Sequence, residues 1–171
     1  MTHEELIEYN KNRKICQLCL VVKDIEYTLK EMVEKLKIGP WMVITVSDET
    51  TDGASLNGVE LKEPFKFLCA LAMCGNLQIE VIQPCYGVAL YQDFLDKHGD
   101  GLHHFKEEIT DSEIENKLAE YALVGITPTF RGFIKHDKFV NLSTVDIFGC
   151  TYEIGNNADM TLPEDMYYMY P

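Results

Sequence analysis

Four polar side chains stand inside segments that otherwise have the apolar composition of β-strands. They are Gln17 in Ile15–Val22, Glu80 in Leu77–Ile82, His104 in Leu102–Ile109 and Glu153 in Thr151–Ile154. An amide or a carboxylate among apolar strand residues is costly to bury unless another group pairs with it. Four such side chains that converge on one cation satisfy one another, so the sequence predicts a metal site.

The predicted ligands offer three oxygen donors and one imidazole nitrogen. This donor set suits a borderline to hard divalent ion, namely Ni, Co, Zn or Mn, with Mg as a further possibility. A ferrous site of two histidines and one carboxylate needs a second inward imidazole. Strand alternation places His103 on the face opposite to His104, so we expect His103 to face away and an oxygenase to be a lesser alternative.

The spacing Cys16-x-x-Cys19 is also typical of zinc and redox sites. Residues three apart on a strand point to opposite faces, so we interpret both cysteines as small apolar strand residues. The chain has six cysteines and begins with a polar, acidic segment rather than a signal peptide. We therefore expect reduced thiols and a cytoplasmic protein.

The formal net charge of the 171-residue chain is −13. Nucleic-acid binding needs a basic surface over the phosphates, so this charge argues against a nucleic-acid partner. It argues equally against an anionic membrane surface. A small anionic substrate stays compatible, because a local basic pocket can lie inside an acidic protein.

Two stretches of the chain repeat the order strand, helix and three strands. Asp24 is a candidate N-cap for a helix that ends near Leu36, and Thr110–Glu113 is a capping-box pattern for the second helix. The segment Ser47–Leu61 is predicted to be a long loop, because it contains Asp-Gly and Asn-Gly pairs. The sequence thus predicts an α+β fold in which two βαβββ modules form an open, U-shaped, barrel-like sheet with helices outside.

This repeat sets the expected organisation of the chain. It comprises a lead-in at 1–13, one domain at 14–156 with modules at about 14–84 and 101–156 and a connector at 85–100, and a tail at 157–171. The loops at 47–62 and 132–138 are expected to form the pocket. The aromatic tail is expected to pack against the protein or to make a dimer contact.

Several phrases of the sequence resemble the vicinal oxygen chelate superfamily. They are Gln17–Val22, Gly75–Pro84 with its Asn-x-x-x-Glu, Gly99–Phe105 with its Gly-Leu-His-His, and Phe148–Ile154. This superfamily includes glyoxalase I, methylmalonyl-CoA epimerase, ring-cleaving dioxygenases and bleomycin-resistance proteins. The similarity spans about residues 14–156 and is greatest to the epimerase-like branch. The metal positions of the family correspond to Gln17, Glu80, His104 and Glu153, although epimerases usually carry His at the first.

The resemblance implies a metal-dependent lyase or isomerase that transfers a proton at the carbon beside a carbonyl group of a small 2-oxo acid derivative or thioester. It implies Glu153 as the base and Glu63 as a second catalytic carboxylate. Lys106, on the predicted face of His104, is a candidate for substrate binding. A homodimer is expected. The alternatives are a non-catalytic small-molecule-binding protein of the antibiotic-resistance type and, less favoured, a dioxygenase.

Overall fold

Eleven strands form one continuous curved sheet in the computed structural model, which describes residues 1–157 and 162–171, with Asp165 described by its backbone alone. The strands are β1 Lys14–Val21, β2 Trp41–Ser47, β3 Asp52–Leu56, β4 Val59–Glu60, β5 Lys66–Cys74, β6 Leu77–Tyr86, β7 Gly101–Glu108, β8 Pro128–Ile134, β9 Asp137–Leu142, β10 Thr151–Gly155 and β11 Tyr167–Tyr170. Their order is β11-β2-β5-β6-β1-β7-β10-β9-β8-β3-β4. Each module contributes four adjacent strands, and β1 and β7 join them at the centre. The predicted open sheet of two βαβββ modules is confirmed.

Five helices and two short helical segments accompany the sheet in the described part of the chain. They are α1 His3–Asn10, α2 Ile25–Glu31 with a π-helical continuation at Met32–Leu36, α3 Ala89–His98, α4 Ile114–Ala122, α5 Val145–Phe148 and a 3-10 turn at Glu164–Met166. Buried apolar side chains of α2 and α4 pack on the outer faces of the first and second modules. The inner face carries its own apolar cluster, which α3 joins through Tyr91 and Leu95. Among the described residues, no helix is long and apolar enough to cross a membrane.

The segment predicted as a long loop is a β-hairpin instead. Asn57 and Gly58 have φ values of 51° and 78°, as a two-residue hairpin turn requires, and join β3 to β4. The strand β3 pairs with β8 of the second module, at the far edge of the sheet. The prediction of a loop was wrong because the strand that pairs with β3 lies about 75 residues further along the chain.

The aromatic tail extends the opposite edge of the sheet. The strand β11 pairs antiparallel with β2, with Tyr170 beside Trp41. Tyr167 and Tyr170 pack against the inner and outer apolar clusters respectively. The tail thus packs against its own chain, while residues 158–161 lie outside the described part.

The lead-in is fixed to the outer face of β7 by a buried carboxylate. Glu107 accepts a hydrogen bond from Arg13 Nε at 3.0 Å and another from the Tyr152 hydroxyl. The Glu107 side chain is 7% exposed, so its charge has little contact with water. Arg13 therefore supplies most of the charge compensation at this position.

We expect Arg13→Ala to lower the free energy of unfolding by about 1–3 kcal/mol, because a buried carboxylate loses its charged donor. Urea denaturation measures this change. Lys11→Ala is the matched control, since Lys11 and Glu8 form an exposed pair at 3.5 Å and such pairs contribute about 0–1 kcal/mol. Equal effects of the two substitutions would contradict the assignment.

Candidate metal centre

The register of four central strands brings the predicted ligands together. Cys19 of β1 pairs with Glu80 of β6 on one side and with His104 of β7 on the other. One step along the same face, Gln17 of β1 pairs with Gln78 and Lys106, and Lys106 pairs with Glu153 of β10. The four predicted ligands therefore occupy two neighbouring rows on the inner face of the sheet.

The imidazole of His104 lies between two carboxylates. Its Nε2 atom is 3.1 Å from Glu80 Oε2 and 3.3 Å from Glu153 Oε2. Despite these distances no acceptor is aligned for a hydrogen bond at Nε2, so the contacts are electrostatic. Two ligand atoms on one metal ion, each about 2.0–2.2 Å from it, lie about 3.0–3.5 Å apart, which matches this spacing.

The amide of Gln17 is oriented with its oxygen free. Its Nε2 donates to Gln78 Oε1 at 2.7 Å, which fixes the direction of the amide group. Its Oε1 atom is buried and has no hydrogen-bond partner among the described residues. Gln17 Oε1 and His104 Nε2 are thus two buried ligand atoms without aligned partners, and with the carboxylates of Glu80 and Glu153 they fit a divalent ion.

A buried lysine lies beside the fourth ligand. Lys106 Nζ is 3.5 Å from Glu153 Oε1 and 3.6 Å from Asp137 Oδ1. Burial alone would lower the pKa of Lys106, but the charges of Glu153 and Asp137 outweigh burial and raise that pKa. The lysine has room only because residue 155 is glycine, since a Cβ there would lie 2.6 Å from Lys106 Cε.

The charges in this region do not cancel. Among the described residues, three carboxylates, on Glu80, Glu153 and Asp137, and one ammonium group, on Lys106, face the cavity. When all four are ionised, the net charge is −2. Carboxylates removed from water need compensating positive charge, so the arrangement favours a divalent cation.

The same carboxylates act on the protonation of His104. Burial by itself would lower the pKa of His104, but the charges of Glu153 and Glu80 outweigh burial and raise the pKa. Conversely, burial would raise the pKa of Glu80, whereas the close approach of His104 lowers it. Both pKa shifts indicate that the space between His104 and the two carboxylates attracts positive charge.

The cavity has a volume of about 340 Å³ and is lined mainly by strand residues, together with Tyr91 of α3 and Asn157. Aliphatic and aromatic side chains, chiefly of β2 and β5, form its apolar part. None of the residues at 47–62 lines it, whereas 132–138 contributes Ile134 and Asp137. The expectation that the 47–62 loop forms part of the pocket was wrong, because that segment pairs with β8 instead.

Two predicted features of the site differ in the structure. His103 does not face away: it is 3% exposed, and its Nδ1 atom is 2.9 Å from His104 Nδ1. A register shift between β1 and β7 at this point breaks the alternation on which the prediction depended. Glu63 is exposed and does not line the cavity, so its catalytic role stays a prediction without support from the site's geometry.

Buried thiols adjoin the site. Ligand atoms of Cys19, Glu80 and His104 lie within 4.8 Å of one another. Cys69 Sγ donates to Glu80 Oε1 at 3.1 Å. Burial and the nearby Glu80 raise the pKa of both thiols well above the usual range. Sequence analysis interpreted Cys19 only as a small apolar strand residue.

Two further polar residues were missed. Asn141 Nδ2 donates to Glu153 Oε2 at 2.9 Å, and Asp137 approaches Lys106. Both belong to β9, where alternation with the outward-facing Val140 places odd-numbered residues inside. Sequence analysis assigned 132–138 to a loop, so Asp137 was not recognised as a strand residue.

Comparison with known families identifies the superfamily of the chain. A model of the Glyoxalase/Bleomycin resistance protein/Dioxygenase superfamily matches residues 16–140. The chain belongs to this superfamily. A search among curated protein sequences finds no match.

Solved structures of the superfamily share the fold. A variant of Streptomyces coelicolor methylmalonyl-CoA epimerase, in complex with 2-nitronate-propionyl-CoA, has a TM-score of 0.62 at 17% identity and covers 88% of this chain and 98% of its own. The epimerase from Mycobacterium tuberculosis has a TM-score of 0.59 at 14% identity and covers 85% of this chain and 88% of its own. A mutant 4-hydroxymandelate synthase from Streptomyces coelicolor has a TM-score of 0.57 at 17% identity and covers 92% of this chain and 42% of its own. At these identities the likeness establishes the fold.

We expect Asp137 to make the stability of the metal-free protein depend on pH. Burial, together with repulsion by Glu153 and Glu80, outweighs the attraction of Lys106 and raises the pKa of Asp137 from 3.8 to about 6. The folded protein therefore keeps a proton that the unfolded chain loses between about pH 4 and pH 6. The stability that Asp137 contributes is complete below this range and is lost as the pH rises through it.

Asp137→Asn removes this titration. The unfolding free energy of the variant minus that of the wild type should increase by about 2 kcal/mol between pH 4 and pH 7. Urea denaturation in the presence of a chelator, across this pH range, measures the difference. A difference that does not change with pH would show that Asp137 titrates normally.

Proposed function

We propose that the protein is a divalent-metal-dependent lyase or isomerase of the glyoxalase I or methylmalonyl-CoA epimerase type, which moves a proton at the carbon beside a carbonyl group. The observation that carries the proposal is the convergence of Gln17, Glu80 and Glu153, which line the cavity, with His104 buried beside them, where the described ionised groups of the cavity sum to −2. Membership of the superfamily is compatible with this chemistry and with others on the same fold.

Each ligand has a role that follows from its contacts. Gln17 Oε1, Glu80, His104 Nε2 and Glu153 would hold one ion of Ni, Co, Zn, Mn or Mg. When bound, such an ion supplies a Lewis acid that stabilises negative charge on a carbonyl oxygen. Gln78 fixes the amide of Gln17, and Asn141 fixes the carboxylate of Glu153.

Glu153 is the base in this proposal. Lys106 Nζ lies 3.5 Å from its Oε1 atom. Asn141 donates to its Oε2 atom and leaves Oε1 on the side of Lys106. A carboxylate that is oriented and close to the reacting carbon can act as the base of the proton transfer.

The cavity suits a small carbonyl compound with a negative group. Its 340 Å³ holds a short acyl chain against the apolar side chains. Both ion pairs of Lys106 are longer than the charge-assisted hydrogen bonds of about 2.7–2.9 Å. Lys106 is therefore placed to bind a substrate carboxylate or carbonyl, as in a 2-oxo acid derivative or a thioester. We expect a cytoplasmic homodimer without nucleic-acid or membrane partners.

A non-catalytic small-molecule-binding protein is the second candidate. It is favoured by the exposed position of Glu63, which leaves the cavity without the second carboxylate base that the resemblance implied. Glu153 alone can still shuttle one proton between two atoms, which gives isomerisation rather than racemisation. A dioxygenase is disfavoured, because its ferrous site needs two imidazole ligands. Among the described residues, His104 is the one histidine whose ring nitrogen approaches the carboxylates of Glu80 and Glu153.

Solvent deuterium exchange tests the proposed chemistry. Wild-type protein loaded with Ni, Co, Zn or Mn should exchange the α-protons of 2-oxobutanoate or propionyl-CoA in D2O, as followed by proton NMR. Glu153→Gln keeps an oxygen donor but cannot take the proton, so exchange should fall by at least about 100-fold. Glu108→Gln is the matched control, since Glu108 lies outside the cavity and pairs with Lys14.

The outcomes separate the assignments. A wild-type protein that binds none of these ions contradicts the enzyme proposal. Binding of the small molecule without proton exchange favours the non-catalytic binding protein. Undiminished exchange in Glu153→Gln shows that another group is the base. Glu63→Gln then decides whether the exposed carboxylate has a part in exchange.

A further inference from the structure

His103 is the residue of β7 that has no partner in its pairing with β1. Cys19 pairs with His104, whereas the next residue, Leu20, pairs with Leu102, so His103 forms a β-bulge. A bulge interrupts the alternation of side chains and redirects the extra residue. His103 is thereby buried beside His104 rather than exposed to solvent.

The two imidazoles meet through their Nδ1 atoms. These atoms are 2.9 Å apart and the rings cross at 82°. At this distance one Nδ1 carries the proton and the other accepts it. Tyr91 and Phe94 each lie 5.1 Å from the His103 ring, in edge-on contacts that fix its orientation.

The direction of this hydrogen bond decides whether His104 can bind a metal ion. If His104 Nδ1 accepted the proton of His103, the proton of a neutral His104 would reside on Nε2 and occupy the ligand position. If His104 Nδ1 donates, Nε2 presents its lone pair between Glu80 and Glu153. Nε2 lies between two carboxylates, a position that attracts a proton in the metal-free protein and that a divalent ion takes over when it binds.

We propose that His103 is a positioning residue for the metal site: its Nδ1 atom accepts the hydrogen bond from His104 Nδ1–H and so keeps His104 Nε2 free as a ligand. The inference rests on the proposed function in that the site binds a divalent ion. Ligating histidines usually donate to a carboxylate, a carbonyl or a water. Here a neutral imidazole takes that place and adds no charge to a cavity that already carries −2.

Two nearly isosteric variants separate this role from packing. Asn at position 103 places an acceptor oxygen close to the position of Nδ1, whereas Leu fills similar space without an acceptor. Titration of chelator-treated protein with Co(II), followed by its visible spectrum, measures affinity. His103→Leu should weaken Co(II) binding about 10- to 100-fold, and His103→Asn should stay within about threefold of wild type.

His98→Leu is the control. His98 is exposed and contacts the same Phe94 ring at 5.1 Å without approaching His104. The His98→Leu substitution should leave the affinity for Co(II) unchanged. Equal affinity of His103→Leu and wild type, or equal losses in His103→Leu and His103→Asn, would overturn the proposal.

Nitrogen-15 NMR of the metal-free wild type tests the same hydrogen bond. This measurement needs neither a bound metal ion nor a folded variant. We expect a protonated Nδ1 on His104 and a bare Nδ1 on His103. The reverse assignment refutes the role of His103 whatever the metal affinity. A wild type that shows the expected tautomers but binds no Co(II) contradicts the proposed function and leaves this hydrogen bond standing.

Discussion

Three carboxylates and one ammonium group of the described residues face the same cavity inside the sheet, and their charges do not cancel. Each carboxylate has been removed from most of its water, so each depends on neighbours for stabilisation. Cys69 and His104 approach Glu80, Asn141 and Lys106 approach Glu153, and Lys106 also approaches Asp137. Lys106 itself needs the space that Gly155 leaves. The remaining charge of −2 is the constraint that a divalent ion satisfies.

The fold meets this constraint by sheet register. The two modules join at β1 and β7, and the strands on either side, β6 and β10, supply the carboxylates. The first module contributes Gln17 and Glu80, and the second contributes His104 and Glu153. Helices α2 and α4 pack on the opposite face, so the inner face is free to carry polar groups among its apolar residues. The candidate metal centre thus lies where the two halves meet.

Sequence analysis predicted the sheet and the four convergent residues because side chains alternate regularly along β1, β6 and β10. It failed where pairing rather than alternation decides the structure. The bulge at His103 exists only in the register of β7 against β1, and no feature of the Leu-His-His-Phe sequence indicates it. Likewise β3 is a strand because β8 is available to pair with it. Asp137 was missed because its strand begins two residues earlier than its apolar residues indicate.

X-ray absorption spectroscopy of the Zn(II)-loaded protein tests the central claim most directly, because it identifies the atoms around the ion. The account predicts a shell of oxygen and nitrogen donors at about 2.0–2.2 Å that includes one imidazole and no sulfur. Failure to retain Zn(II) would contradict the metal centre. A sulfur donor at about 2.3 Å would show instead that Cys19, between Glu80 and His104 in the sheet, takes the place assigned to Gln17.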